Sequence, residues 1–371
     1  MHFIDLAAQQ DRLRTGIEKR IAAVLSHGSY IMGPEVKELE TALAEFCGAA
    51  HCVSCANGTD ALELALIALG VGPGDAVLVP SFTFAATAEV VPGTGAVPVF
   101  VDVDLATYNM CPNSLSRAIE HARDLGLRPA VIIPVDLFGL PADYPEVSRI
   151  AEAASAVVIG DSAQGFGGSI KGQMTGTFGK ITTTSFFPAK PLGCYGDGGA
   201  LFTDDADLAV LLDSLRVHGK GAEKYDNVRI GRNSRLDTLQ AAVLLEKLAV
   251  YGEEIEARNR IARRYTTGLS TKFATPVIPE GYRSIWAQYT LRTDTPAARD
   301  NAMSALKAAG IPSAIYYPRP LNKQTAYREF PCDPNGLPNS ELAAQTVFSL
   351  PMHPYLSEAD QDRVIDVLSR A

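Results

Sequence analysis

Hydrophobic positions along the chain fall into two rhythms that alternate with one another. Short β-branched runs closed by glycine, proline or polar residues read as buried strands at residues 51–55, 76–80, 96–101, 130–135, 156–161, 181–187 and 201–203. Between them, apolar residues three and four apart predict helices over 6–25, 34–46, 62–69, 114–124, 143–153 and 204–216. Strand and helix alternating at this interval imply right-handed crossovers and a mostly parallel central sheet flanked by helices. Beyond Asp237 the rhythm changes. A long amphipathic helix runs to about Gly268, with a break expected near Gly252, followed by a strand at 285–291, a helix at 296–309, a strand at 312–316 and helices at 341–346 and 357–370. This suits a smaller α/β unit, so the reading divides the chain into a large domain, residues 1–245, that includes the amino-terminal helices, and a small carboxy-terminal domain, residues 246–371.

Composition narrows the class. With 371 residues, 47% hydrophobic and 20% charged, the chain can bury a large core and a smaller one. A net charge of −9 argues against a nucleic-acid surface. The start, Met1-His2-Phe3-Ile4-Asp5-Leu6, lacks the basic and apolar regions of a signal peptide, and no apolar run reaches spanning length, so a cytoplasmic protein without membrane contact is expected. Six scattered cysteines do not make a disulfide framework. Cys52 and Cys55 form a C-x-x-C inside a strand, where residues three apart face opposite sides, which favours core packing over a redox or metal pair. The histidines show no metal spacing, and no metal is expected.

Candidate chemistry gathers between residues 156 and 200. The strand ending at Asp161 places a carboxylate at a strand's carboxyl edge, where ligands bind in open α/β sheets. Lys190 follows a second strand on a turn between prolines, with glycines after it. An acid and an amine offered to one cleft are what a pyridoxal phosphate enzyme needs: the lysine bonds to the cofactor aldehyde, and the carboxylate keeps the ring nitrogen protonated. Taken alone, Lys190 reads as a solvated loop lysine and Asp161 as a helix cap before either reads as chemistry; the wider pattern changes that. Upstream, Gly58 and Thr59 open a helix directly after a strand, which makes an anion site from backbone amides and the positive dipole end, although Thr59 is also a plain cap. Phe84, at the end of another strand, can stack on a planar ring, while Phe82 and Phe84 are both also candidates for the core. Gly165-Phe166-Gly167-Gly168 fails the dinucleotide spacing.

Three segments together resemble the DegT/DnrJ/EryC1/StrS sugar aminotransferases: Asp161-Ser162-Ala163-Gln164, Ser185-Phe186-Phe187-Pro188-Ala189-Lys190-Pro191-Leu192-Gly193 and Gly196-Asp197-Gly198-Gly199-Ala200. The resemblance covers nearly the whole chain and implies the fold-type I PLP-dependent aminotransferase architecture. By it, Lys190 and Asp161 are catalytic. Gly58, Thr59 and Ser185 bind the cofactor phosphate, Phe84 covers the ring and Gln164 meets the phenolic oxygen. The segment from Gly231 to Ala242 carries Asn233, which in the family reaches the phosphate of the neighbouring subunit, so a homodimer with shared active sites is implied. Residues 28–34 resemble the entrance loop on the substrate side, or form a plain interhelix turn.

Tyr316, Tyr317 and Lys323 match blocks near the sugar, although relatives often carry histidine where Tyr316 stands. The substrates implied are a nucleotide-linked keto sugar and glutamate, used in alternation. Relatives that dehydrate sugars have histidine in place of the lysine, so Lys190 argues against that reaction, and a non-catalytic regulatory PLP protein is the reading from another class. The segments around Lys190, Asn233 and Asn322 look closest to the branch that aminates C3 of a UDP-linked N-acetylated keto uronic acid for O-antigen synthesis. Arg235 is suited to grip that carboxylate, or else pairs with Asp237. The alternative substrate is a UDP- or dTDP-linked 4-keto-6-deoxy sugar.

Overall fold

The computed structural model describes every residue except Lys224, in the polar loop after residue 219, and Ala371. In chain order the elements are α1 (Leu6–His27), α2 (Pro34–Cys47), β1 (His51–Cys55), α3 (Gly58–Ala68), β2 (Asp75–Pro80), α4 (Ala86–Glu89), β3 (Val97–Val101), α5 (Pro112–Asp124), β4 (Arg128–Ile132), α6 (Tyr144–Ala154) and β5 (Val157–Asp161). Then come β6 (Ser169–Ile170), β7 (Gln173–Met174), β8 (Ile181–Ser185), β9 (Gly199–Thr203), α7 (Ala206–Arg216), α8 (Thr238–Leu269), β10 (Tyr282–Arg283), β11 (Tyr289–Arg292), α9 (Pro296–Ala308), α10 (Pro338–Thr346), β12 (Val347–Leu350) and α11 (Glu358–Arg370).

Seven strands form one sheet in the order β1-β9-β8-β5-β4-β2-β3, parallel except at β9, which runs against both neighbours. Its two faces are covered by separate apolar layers. Leu62, Leu66, Val77, Val79 and Ile133 lie in one; Leu78, Val99, Leu115, Ile119 and Val147 lie in the other. Each such fully buried aliphatic side chain contributes about 1.5–3 kcal/mol. Cys55 belongs to the first layer, while Cys52 packs with α2 and α8 on the opposite side, as the strand period requires. Because β1, β2, β4, β5 and β8 run the same way, their carboxyl ends meet along one edge of the sheet.

Helix α8 is continuous for 32 residues, with no break at Gly252. Packing outweighs the poor helix propensity of that glycine, because Tyr251, Glu254 and Ile255 beside it are buried. Leu244, Leu245, Tyr251 and Ile255 pack with α2, whereas Ile261, Ala262, Tyr265 and Leu269 pack with β11, β12 and α11. The division expected at residue 246 falls inside this shared helix.

Three expected strands differ. The run 130–135 pairs as a strand only to Ile132, since Pro134 has no amide for the ladder, and Val135 then bridges Asp161 alone. The run 285–291 becomes a strand only at Tyr289, because Ile285 and Gln288 donate instead to Gly139 and Phe138. Residues 312–316 make a single bridge, Ala314 to Ser349, and the strand that pairs with β11 is β12, unrecognised in the sequence.

Candidate active site

Asp161 closes β5 at the shared edge of the sheet. Its amide donates to the Pro134 carbonyl at 2.9 Å and its carbonyl accepts from the Asp136 amide at 2.9 Å, so the backbone is fixed on both sides. The carboxylate is 4% exposed; Oδ2 accepts from Thr87 Oγ1 at 2.9 Å and Oδ1 from the Ala163 amide at 3.1 Å. Burial raises its pKa, while these two donors and the nearby Lys190 charge oppose the rise. Thr87, near the start of α4, escaped the sequence reading, since one hydroxyl in the Thr-rich stretch 81–88 carries no mark of its partner.

Lys190 lies on the turn after β8, with its amide donating to the Phe187 carbonyl at 2.8 Å. Burial lowers the pKa of its amine and the Asp161 carboxylate opposes that. Lys190 is half-buried, and its amine lies close enough to the Asp161 carboxylate for the two to act on one another. A lowered pKa increases the free-amine fraction that can attack a carbonyl.

Gly58 and Thr59 begin α3, whose Asn57 cap accepts the Asp60 amide at 2.8 Å. Thr59 is thus not the cap, and the first amides of the helix face outward as at any helix start. A Cβ on Gly58 would lie 2.7 Å from Cβ of Ser185, and one on Gly199 would lie 2.5 Å from the Asn57 backbone. Glycine at both places lets the helix start and the end of β8 close together, which brings Gly58, Thr59 and Ser185 to one spot. Ser185 Oγ accepts only a long bond, 3.3 Å, from the Phe187 amide.

The aromatic residues separate cleanly. Phe82 is fully buried and belongs to the core, whereas Phe84 is 55% exposed. Its ring centroid stands 6.5 Å from that of Tyr317. Gln164 is buried, accepts from the Phe138 amide at 2.8 Å and donates to the Tyr317 hydroxyl at 2.9 Å. Tyr317 thereby joins the small unit to the Asp161 turn, and Tyr316 packs beside it, 5.8 Å between centroids. Lys323 is not drawn into this cluster; it pairs with Glu341 at 2.9 Å. Its neighbour Asn322 instead reaches the sheet edge, accepting from Ser81 Oγ at 2.9 Å.

Asn233 bridges Val217 at the end of α7, its neighbour Ser234 accepts from the Ala56 amide at 3.2 Å, and four residues on, the start of α8 meets the loop before α2. Ile31 bridges Asp237, and Thr238 donates its amide to the Tyr30 carbonyl at 2.9 Å. Arg235 donates to Asn233 Oδ1, a neutral acceptor, and among the described residues it forms no ion pair, with Asp237 or any other acid.

A second carboxylate sits directly behind the first. Asp136 is fully buried, accepts from the Ser162 hydroxyl and from the Ala142 amide at 2.9 Å, and has its pKa pushed up to about 7 by burial. Nothing in its sequence context marked it. No group of three or more His, Cys, Asp or Glu side chains among the described residues is arranged to hold a metal ion, and no helix among them is long and apolar enough to cross a membrane.

A buried acid with a half-buried amine near it, a helix start closed onto a serine, and an aromatic ring left open at the same sheet edge fit a planar aromatic cofactor with one phosphate arm. Comparison with known proteins agrees. The profile of the DegT/DnrJ/EryC1/StrS aminotransferase family matches residues 11–369. The chain is 49% identical over 360 residues, 97% of each chain, to the UDP-2-acetamido-2-deoxy-3-oxo-D-glucuronate aminotransferase of Pseudomonas aeruginosa. It is 42% identical over 368 residues, 99% of this chain and 96% of the other, to the UDP-N-acetyl-3-dehydro-alpha-D-glucosamine 3-aminotransferase of Acidithiobacillus ferrooxidans. A crystal structure of a DegT DnrJ EryC1 StrS aminotransferase from Brucella abortus superposes with a TM-score of 0.98 at 55% identity, covering 100% of this chain and 99% of that one.

Proposed function

Because the chain belongs to the DegT/DnrJ/EryC1/StrS aminotransferase family, we propose that it moves an amino group from glutamate to C3 of a UDP-linked 2-acetamido-3-keto uronic acid, with pyridoxal phosphate as cofactor. Both relatives named above act on UDP-linked N-acetyl sugars oxidised at C3, which supports the ring carbon and the nucleotide. The single observation that carries the carboxylate is Arg235, whose guanidinium has, among the described residues, only the neutral Asn233 side chain as hydrogen-bond acceptor. An arginine without an acid partner is available to a substrate carboxylate in a two-point, charge-assisted contact.

When bound, pyridoxal phosphate supplies an electron sink for the carbon that exchanges its nitrogen. The chain's own residues do the rest. Asp161, held by Thr87 and the Ala163 amide, would be the carboxylate that keeps the ring nitrogen protonated. Lys190 would hold the cofactor through its amine, and that amine, once free, would be the acid/base group that moves a proton at the reacting carbon. The amides of Gly58 and Thr59 with the Ser185 hydroxyl hold the phosphate, joined by Asn233 from a second copy in a homodimer. Phe84 would cover one face of the ring, and Gln164 holds the Tyr317 hydroxyl at 2.9 Å. Tyr316 and Lys323 line the approach of the sugar, Lys323 by exchanging its Glu341 contact for the substrate.

The experiment is an assay of purified protein with glutamate and either the 3-keto uronate or a dTDP-linked 4-keto-6-deoxy sugar. The reading requires faster amination of the uronate and a loss of that preference in Arg235→Ala. Faster turnover of the deoxy sugar, unchanged in the variant, would contradict it.

A further inference from the structure

The turn that carries Lys190 is gripped from one helix, and one of the two gripping groups is a buried charge. Lys247 lies on α8 with 1% of its surface exposed. Its Nζ donates to the Gly193 carbonyl at 2.6 Å and stands 4.4 Å from the centroid of the Tyr195 ring. Two helical turns earlier, Gln240 Oε1 accepts the Tyr195 amide at 2.8 Å. Residues 193 and 195 are thus held from one face of α8, just beyond Lys190.

The turn itself is closed, so a hold at one point acts on all of it. The amide of Cys194 donates to the Phe186 carbonyl at 2.8 Å, and that of Lys190 to the Phe187 carbonyl at 2.8 Å. A Cβ on Gly193 would meet the Pro188 carbonyl at 2.5 Å and the Phe187 carbonyl at 2.6 Å, which leaves the loop no slack.

Among the described residues no carboxylate forms an ion pair with Lys247. The nearest acid on its own helix face, Glu254, is occupied by Gln9 at 2.9 Å and Tyr355 at 2.5 Å. An ammonium whose company is one carbonyl and one ring is less favourable in a protein interior than an apolar side chain of the same size. Burial accordingly lowers its pKa to about 8, against the pull of Cys194 and Glu254. Stability alone would select methionine or leucine here; the cation serves what it holds.

We propose that Lys247 is a positioning residue, whose ammonium fixes the Gly193 carbonyl and so aims the turn that presents Lys190 to Asp161. The proposal rests on the reading of Lys190 as the amine that bonds the cofactor.

The test uses the full chain freed of cofactor and mixed with pyridoxal phosphate, recording the growth of the visible chromophore and then turnover. Lys247→Met, which fills the same space without charge, is expected to capture the cofactor roughly tenfold more slowly and to lose kcat by a similar factor, with the sugar KM little changed. The pH midpoint of the bound chromophore should shift as well, because Lys190 no longer keeps its place relative to Asp161; a mere loss of packing would lower the melting temperature and leave that midpoint alone. If Lys247→Met does not fold, Gln240→Leu releases Tyr195 while keeping the charge: slower capture supports the grip, and wild-type capture overturns it. Wild-type capture and an unmoved midpoint in Lys247→Met overturn the proposal alone. A wild-type protein that forms no chromophore overturns the reading of Lys190, and the proposal with it.

Discussion

The wall of the site around Asp161 and the rim around Arg235 are built on opposite principles. At the wall, polar groups are buried and have partners within the same chain: Asp161 with Thr87 and Ala163, Gln164 with Phe138 and Tyr317. At the rim, Tyr30, Ile31 and Met32 are each more than a third exposed, and Asn233 and Arg235 are paired with each other. A wall whose carboxylate and amide are held by partners of the same chain is pre-organised to keep charge in place. In our proposal, this rim of exposed apolar side chains and a loosely matched arginine meets both a second copy and a substrate. The difference teaches that the chemistry belongs to one chain, while recognition in our reading needs two.

The largest effects should come from the wall. Lys190→Ala should fold and still bind cofactor but lose activity by about a thousandfold or more, the scale of a lost covalent and acid/base group. Wild-type turnover in that variant would remove the lysine from the mechanism. Asp161→Asn, a neutral amide that cannot hold the ring nitrogen protonated, is expected to cost roughly a hundredfold or more in kcat, without loss of fold.

Shared sites are broken by mixing. Lys190→Ala and Asn233→Asp subunits, each inactive alone, should recover up to about a quarter of wild-type activity when exchanged one to one, because half the dimers are hybrids with one intact site. No recovery despite subunit exchange would confine the site to one chain. Smaller still, Arg235→Ala should raise KM for the carboxylated sugar by about 10- to 100-fold, the worth of a charge-assisted contact, and leave an uncharged sugar unaffected. Steady-state kinetics on both sugars measures this.

The smallest effect sharpens the wall itself. Asp136 has a folded pKa of about 7, above its unfolded value, so the folded state holds the proton more tightly. That contribution to stability is present in full below pH ~4, and it is lost as pH rises through about 7. Thermal melts should therefore show Asp136→Asn gaining on wild type between pH 5 and 8, by at most a few kcal/mol. A constant difference across that range would place the ionisation elsewhere.

Much of the fold was legible because its signals are local. The strand ending at Asp161, the strand before Lys190 and the helix at Gly58 each announce themselves by a β-branched run and a glycine. What stayed hidden depends on pairing across sequence distance. Thr87, Asp136 and Lys247 acquire meaning only from Asp161, Ser162 and Gly193, which the chain brings to them by folding. The same holds for β12, whose pairing with β11 spans the small unit, and for Lys323, whose surface ion pair with Glu341 depends on α10 packing near it. The helix through Gly252 shows the converse, a local signal overridden by tertiary packing.

The central claim is that Lys190 is the amine that bonds the cofactor. Reducing the native protein with borohydride, digesting it and mapping the cofactor-labelled peptide by mass spectrometry tests that bond itself. The account predicts a single label on Lys190, lost when glutamate is added before reduction. A label on Lys180, Lys247 or another lysine, or none in a protein that turns over, would contradict it.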